Sequence, residues 1–129
     1  MTNEVMTIRE MCDVFDVTPR TLRFYEAKEL LFPIREGQKR LFTKRDRARL
    51  TLILRGKKFG FALEEIRQLL DLYKEEDRGE KQLRETLAAY HVKRAEMEAQ
   101  KQALIAVMTD LEDEIGFVEG QIEGLKREG

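Results

Sequence analysis

Thr18-Pro19-Arg20-Thr21-Leu22-Arg23-Phe24-Tyr25-Glu26 reads as a helix with a cation-rich outer face. Thr18 can cap it, and Pro19 suits the first turn, where a missing N–H costs nothing. Leu22 is the only plain core residue of the run. Around it, Arg20, Thr21 and Arg23, with Phe24 and Tyr25 interleaved, offer guanidinium groups and rings to phosphates and base edges. Read alone, the run is equally a solvated amphipathic helix, and its neighbours decide between the two.

Upstream, Thr7 and Glu10 have the spacing of a capping box, in which each side chain satisfies the other's backbone donor. Ile8, Met11, Cys12 and Phe15 then form an apolar stripe at helical spacing. Residues 1–6 read as a short flexible lead. Asp16-Val17-Thr18 turns the chain into the opening helix, so two short helices meet at a tight connection, the helix-turn-helix pattern. Downstream, Pro33, Gly37 and the alternation around Ile34 and Leu41-Phe42 predict a small β-hairpin carrying Arg35, Lys39 and Arg40. A basic hairpin after such a helix is a wing, able to lie along a phosphate backbone. The competing reading is a solvated loop from Pro33 to Gln38.

Thr43 and Asp46 repeat the capping-box spacing and open a helix with Leu50, Ile53 and Leu54 on one side and seven cations elsewhere, Lys57 among them. Phe59-Gly60-Phe61 ends it, and a further helix is expected from Leu63 to Leu72. Glu75-Glu76-Asp77-Arg78-Gly79 then reads as an acidic hinge with a glycine breaker.

From Glu80 to Lys126 there is no proline. Alternating steps of four and three from Leu83 reach Leu87, Tyr90, Arg94, Met97, Lys101, Leu104, Met108, Leu111, Ile115, Val118, Ile122 and Leu125. Only Arg94 and Lys101 interrupt this heptad seam. Such a helix spans roughly 65–70 Å, too long to bury its stripe on a small domain, so the same helix of a second subunit is the expected partner. Gly116, Gly120 and Gly124 are expected to weaken its end.

Charge divides along the same line. Residues 1–60 hold 14 lysines and arginines against 8 acids, and residues 61–129 hold 10 against 17. A basic front and an acidic rear assign the polyanion-facing surface to the front half. With one cysteine, one histidine and short apolar runs, the 129 residues offer little to catalysis, to a metal site or to a bilayer span. No cofactor, no metal and no enzymatic activity are expected, and the location is read as cytoplasmic, with no membrane partner. Cys12, on the stripe of the first helix, reads as a buried structural thiol. His91 and the clusters Glu75-Glu76-Asp77 and Glu112-Asp113-Glu114 read as solvated faces.

Three blocks carry a family resemblance: Val17 to Glu26, the wing-like Gly37-Gln38-Lys39-Arg40-Leu41-Phe42-Thr43, and Phe59-Gly60-Phe61-Ala62-Leu63-Glu64-Glu65-Ile66. In this order and at these distances they resemble the MerR-type transcription regulators. The resemblance covers the first 70–75 residues, and the long helix fits that family's antiparallel dimer coiled coil. It implies an all-α fold with a small β-hairpin wing: a winged helix-turn-helix domain over 1–75, then a hinge and dimerisation helix over 76–129. The implied function is a homodimer that binds a pseudo-palindromic promoter and distorts it for RNA polymerase. The alternative function is a coiled-coil adaptor whose basic head binds nucleic acid without sequence preference.

By the resemblance, Arg20, Thr21, Arg23, Phe24 and Tyr25 meet the major groove or its flanking phosphates. Lys39, Arg40 and Phe42 act from the wing, and Lys57 holds phosphate from the second helix pair. The chain departs from the pattern in places. Phe24 and Phe42 stand where many members carry tyrosine, and Ala62 stands where a Ser or Thr cap is usual, a loss of about 1 kcal/mol. Metal-sensing members carry cysteines near the end of the dimer helix, and drug-sensing members append an effector domain. Neither feature is in this sequence, so sensing by those routes is not expected. The run from Leu52 to Phe61 and the Leu72-Tyr73 pair also resemble a short proteobacterial subgroup that controls branched-chain amino-acid or fatty-acid breakdown genes.

Overall fold

Thr7 opens the first helix through both halves of its capping box. Its hydroxyl accepts from the Glu10 N–H at 3.2 Å, and Glu10 accepts from the Thr7 N–H at 2.8 Å. The computed structural model describes residues 5–128. In it α1 runs over Ile8–Phe15 and α2 over Pro19–Ala27. Asp16 turns between them in the left-handed region (φ 56), which a short polar side chain tolerates. Val17 and Thr18 then lead into α2.

The wing is β2, Ile34–Glu36, paired antiparallel with β3, Lys39–Phe42, across a turn in which Gly37 has φ 59. A third strand completes the sheet. β1, Met6–Thr7, pairs antiparallel with β3, Met6 opposite Phe42 and Thr7 opposite Leu41, giving the order β1-β3-β2. Met6 therefore belongs to the wing sheet and not to a flexible lead, because β3 had a free edge and the start of α1 lies beside it. Residues 1–4 of that lead fall outside the described residues.

α3, Lys44–Lys58, begins at a second complete capping box between Thr43 and Asp46. Asp46 is 2% exposed, and its other oxygen accepts from the Phe32 N–H at 2.9 Å. One buried carboxylate thus starts α3 and pins the approach to the wing, with its hydrogen bonds meeting the cost of burial. α4, Leu63–Leu70, ends two residues before the expected Leu72. Ala62 has no side-chain acceptor to offer, and only the reciprocal half of its box survives, Glu65 accepting from the Ala62 N–H at 2.8 Å. Gly56 sets the α3–α4 distance: a Cβ there would stand 2.8 Å from the Ile66 side chain.

Met11, Leu22, Leu30, Leu31, Phe42, Leu50 and Ile53 have no exposed surface, and Ile66 and Leu70 have almost none. These residues come from α1, α2, the connection between α2 and β2, the wing, α3 and α4, and they make up the core.

The hinge closes on Asp77, which accepts from the Gly79 N–H at 2.9 Å and the Lys81 N–H at 3.1 Å, so it caps the helix that follows. Gly79 is buried with φ 78, and a Cβ on it would lie 2.9 Å from the Tyr73 ring. α5 then runs unbroken over Glu80–Glu128. The glycines at 116, 120 and 124 do not interrupt it, and a Cβ at any of them would meet nothing within 4 Å. Two compact units divide at Thr86 and Leu87, so the first turns of α5 belong to the first unit. Gln82 shows why: its amide donates to the Leu69 and Leu70 carbonyls at 3.2 and 3.5 Å.

The second unit is helix alone. α5 has no buried residue, and most of its seam side chains are open, Leu104 at 61% and Leu111 at 58%, with Tyr90 half-buried. Among the described residues no helix is long and apolar enough to cross a membrane.

Candidate nucleic-acid interface

The outer face of α2 is built from its cap onward. Thr18 accepts from the Thr21 N–H at 3.1 Å, and the two hydroxyls share a hydrogen bond at 2.9 Å. Thr21 is half-buried and its hydroxyl is engaged. Arg20 and Arg23 are exposed on the same helix. Phe24 is 47% exposed, tilted at 59° against Tyr25, with the Lys28 ammonium 5.6 Å from its ring centroid. Lys28, one turn after Phe24, therefore joins the surface; its i+4 spacing was the available signal.

The far end of α2 is held by cations from the second helix pair. Arg67 donates to the Lys28 carbonyl at 2.6 Å and to the Glu29 carbonyl at 3.4 Å, and Arg49 donates through Nε to the Leu30 carbonyl at 2.7 Å. Positive groups at a helix C-terminus satisfy its orphan carbonyls and oppose its dipole. Burial lowers the Arg49 pKa from its ordinary value, and neighbouring Arg45 adds to that.

Glu26 joins the wing to α2. One oxygen binds Arg40 Nε at 2.5 Å and the other binds Arg35 Nη1 at 3.1 Å. Arg35 and Arg40 stand directly opposite in the hairpin, a like-charge pairing that costs energy unless neutralised. The single carboxylate removes that cost and fixes the hairpin beside α2. Arg40 is consequently half-buried and clamped, while Lys39 at the turn is exposed. Lys57, near the end of α3, is exposed as well.

Two expected contact residues lie elsewhere. Phe42 has no exposed surface and is core, because Leu41 and Phe42 alternate across β3 and Phe42 faces inward. Tyr25 is 7% exposed and belongs to the core, and burial raises its hydroxyl pKa. Cys12 is half-buried, not buried as expected, and desolvation with nearby Asp13 pushes its thiol up, which keeps it protonated at neutral pH. Among the described residues no cluster of three or more His, Cys, Asp or Glu could hold a metal ion.

A helix-turn-helix with a basic outer face, flanked by a clamped wing, defines a winged DNA-binding domain. Comparison with known proteins gives the family. Residues 6–73 match the MerR HTH family regulatory protein profile, and residues 47–113 match the MerR DNA-binding profile. The chain belongs to the MerR family of transcription regulators.

It is 40% identical over 67 residues to the HTH-type transcriptional regulator ZntR of Escherichia coli K12, covering 50% of this chain and 48% of ZntR. The chain thus spans about half the length of that curated relative. A MerR family regulator from Bacillus cereus has a similar crystal structure, with TM-score 0.63, 30% identity, and coverage of 85% of this chain and 79% of that one. The same fold recurs in HiNmlR, a MerR family regulator lacking the sensor domain and bound to promoter DNA. Its TM-score is 0.59 at 22% identity, with 81% of this chain and 79% of that one covered.

Proposed function

We propose that this chain binds a pseudo-palindromic promoter as a homodimer, in the cytoplasm, and distorts the duplex so that RNA polymerase can engage it. The observation that carries the reading is the surface around Glu26, where exposed Arg20 and Arg23 on α2 stand beside a wing that the carboxylate holds in place. Such a pair matches a major groove and its flanking backbone. Residues 1–75 read the DNA. Residues 76–129 pair with the same segment of a second copy through Leu83, Leu87, Tyr90, Met97, Leu104, Met108, Leu111, Ile115, Val118, Ile122 and Leu125. The exposed seam of α5 supports this pairing, since an uncovered apolar stripe of that length calls for a partner.

The reading is tested by binding to DNA from the chain's own upstream region against scrambled DNA of equal length, at two salt concentrations. Selective retention at the higher salt is expected. Arg23→Ala should weaken binding by about 1–3 kcal/mol and relax preference at one base position. Equal, salt-erased binding to both duplexes would instead establish the adaptor function.

A further inference from the structure

We propose that the cavity beside the hinge, between α3, the end of α4 and the first turn of α5, binds a small organic carboxylate with an apolar tail. The cavity has a volume of about 380 Å³, within the range of small-molecule sites and too small for a peptide. Lys44, Arg45 and Arg49 line it from successive turns of α3, and Leu52, Leu70 and Tyr73 supply an apolar wall. Glu75 is the one carboxylate in the lining, so the cavity carries an excess of positive charge over a greasy surface.

Arg49, a lining residue of the cavity, is the cation assigned to the anion. Its residue is 8% exposed, and its Nε is used by the Leu30 carbonyl. Its guanidinium carbon lies 5.2 Å from the Phe32 ring centroid. Asp46 and Asp71 are near enough to favour its charge, yet among the described residues no carboxylate reaches ion-pair distance of it. Asp46 spends its oxygens on Thr43 and Phe32. A guanidinium has five N–H donors, and a buried charge with unfilled donors is costly. A carboxylate accepting two parallel hydrogen bonds from the terminal amino groups meets that need. Inorganic phosphate would leave the apolar wall uncovered, and a neutral lipid would leave Arg49 unpaired. The occupant that fits both surfaces is an amphipathic monocarboxylate. Seated there it would touch Tyr73 and Gln82, the latter already bonded to the end of α4.

Binding is a property of the free protein and does not depend on promoter recognition. Octanoate is titrated into the whole chain by calorimetry and followed by amide chemical shifts, with acetate and octanol as controls that keep only the charge or only the tail. Octanoate should saturate, at least about tenfold tighter than either control, with shifts at residues 44–52 and 70–82. Arg49→Lys, which keeps the charge and loses the planar fork, should weaken it about tenfold. Arg49 also supports α2, so a second variant is needed: Ala48→Trp, at an exposed position lining the cavity, should abolish binding with the melting temperature retained. The proposal is overturned if octanol binds as well as octanoate, if Ala48→Trp binds like the parent chain, or if the shifts fall elsewhere. It is equally overturned if binding appears only on dilution below the self-association range, which would make a second copy the occupant.

Discussion

The first unit and the helix from Leu87 onward use the same kind of sequence pattern to opposite ends. In the first, apolar residues spaced at helical intervals on short segments close on one another, and among the described residues every buried apolar side chain lies between Met11 and Leu70. In the second, a heptad seam of the same residue types buries nothing, and Val118 remains 47% exposed. The difference lies in length and connectivity. Helices of eight to fifteen residues joined by short connections fold their stripes inward, whereas the 49-residue helix leaves its stripe largely exposed. The first unit therefore buries its apolar residues within itself, and the second leaves most of its seam exposed.

Four changes would break or sharpen that contrast. Phe42→Ala should have the largest effect, costing the first unit about 3–5 kcal/mol in chemical denaturation. Weakened DNA binding with unaltered stability would return Phe42 to the interface. Leu111→Lys should abolish self-association by light scattering and weaken operator binding with it, while the first unit keeps its melting behaviour. A variant still dimeric would refute the heptad register. Glu26→Gln should loosen the wing, with faster amide exchange over Ile34–Phe42 and a stability loss of about 1 kcal/mol or less, as expected of a partly exposed ion pair.

Asp77→Asn is the mildest and carries a pH signature. Backbone donors, Lys81 first and then Gly79, hold the Asp77 carboxyl below its ordinary value of 3.8. The folded state therefore binds the proton less readily than the unfolded one. The stabilisation is complete above that ordinary value and fades as pH falls through the lowered one. Acid titration of helix content should show this loss in the parent chain and a flatter profile in the variant.

Much of the first unit was legible because its signals are local. The Thr7–Glu10 and Thr43–Asp46 boxes fixed two helix starts, and Gly37 marked the wing turn. What escaped depended on residues distant in sequence. Met6–Thr7 becomes a strand only because β3, more than thirty residues on, offers an edge. Phe42 and Tyr25 sit in basic surroundings that suggest contact, while their burial is decided by the facing of β3 and by the core beneath α2. The second role of Asp46, on the Phe32 amide, and the hold of Arg67 on the end of α2 leave no trace in local spacing either.

The grip of Glu26 has a thermodynamic consequence for any duplex this surface meets. Arg35 and Arg40 arrive already paired with an anion of the protein itself. A phosphate approaching either shares the guanidinium with that carboxylate, which already offsets part of its charge. The number of counterions released on association will then fall short of the number of basic side chains facing the backbone. A count of arginines would overstate how steeply binding responds to salt, and the shortfall would report how firmly the wing stays fastened to the helix beside it.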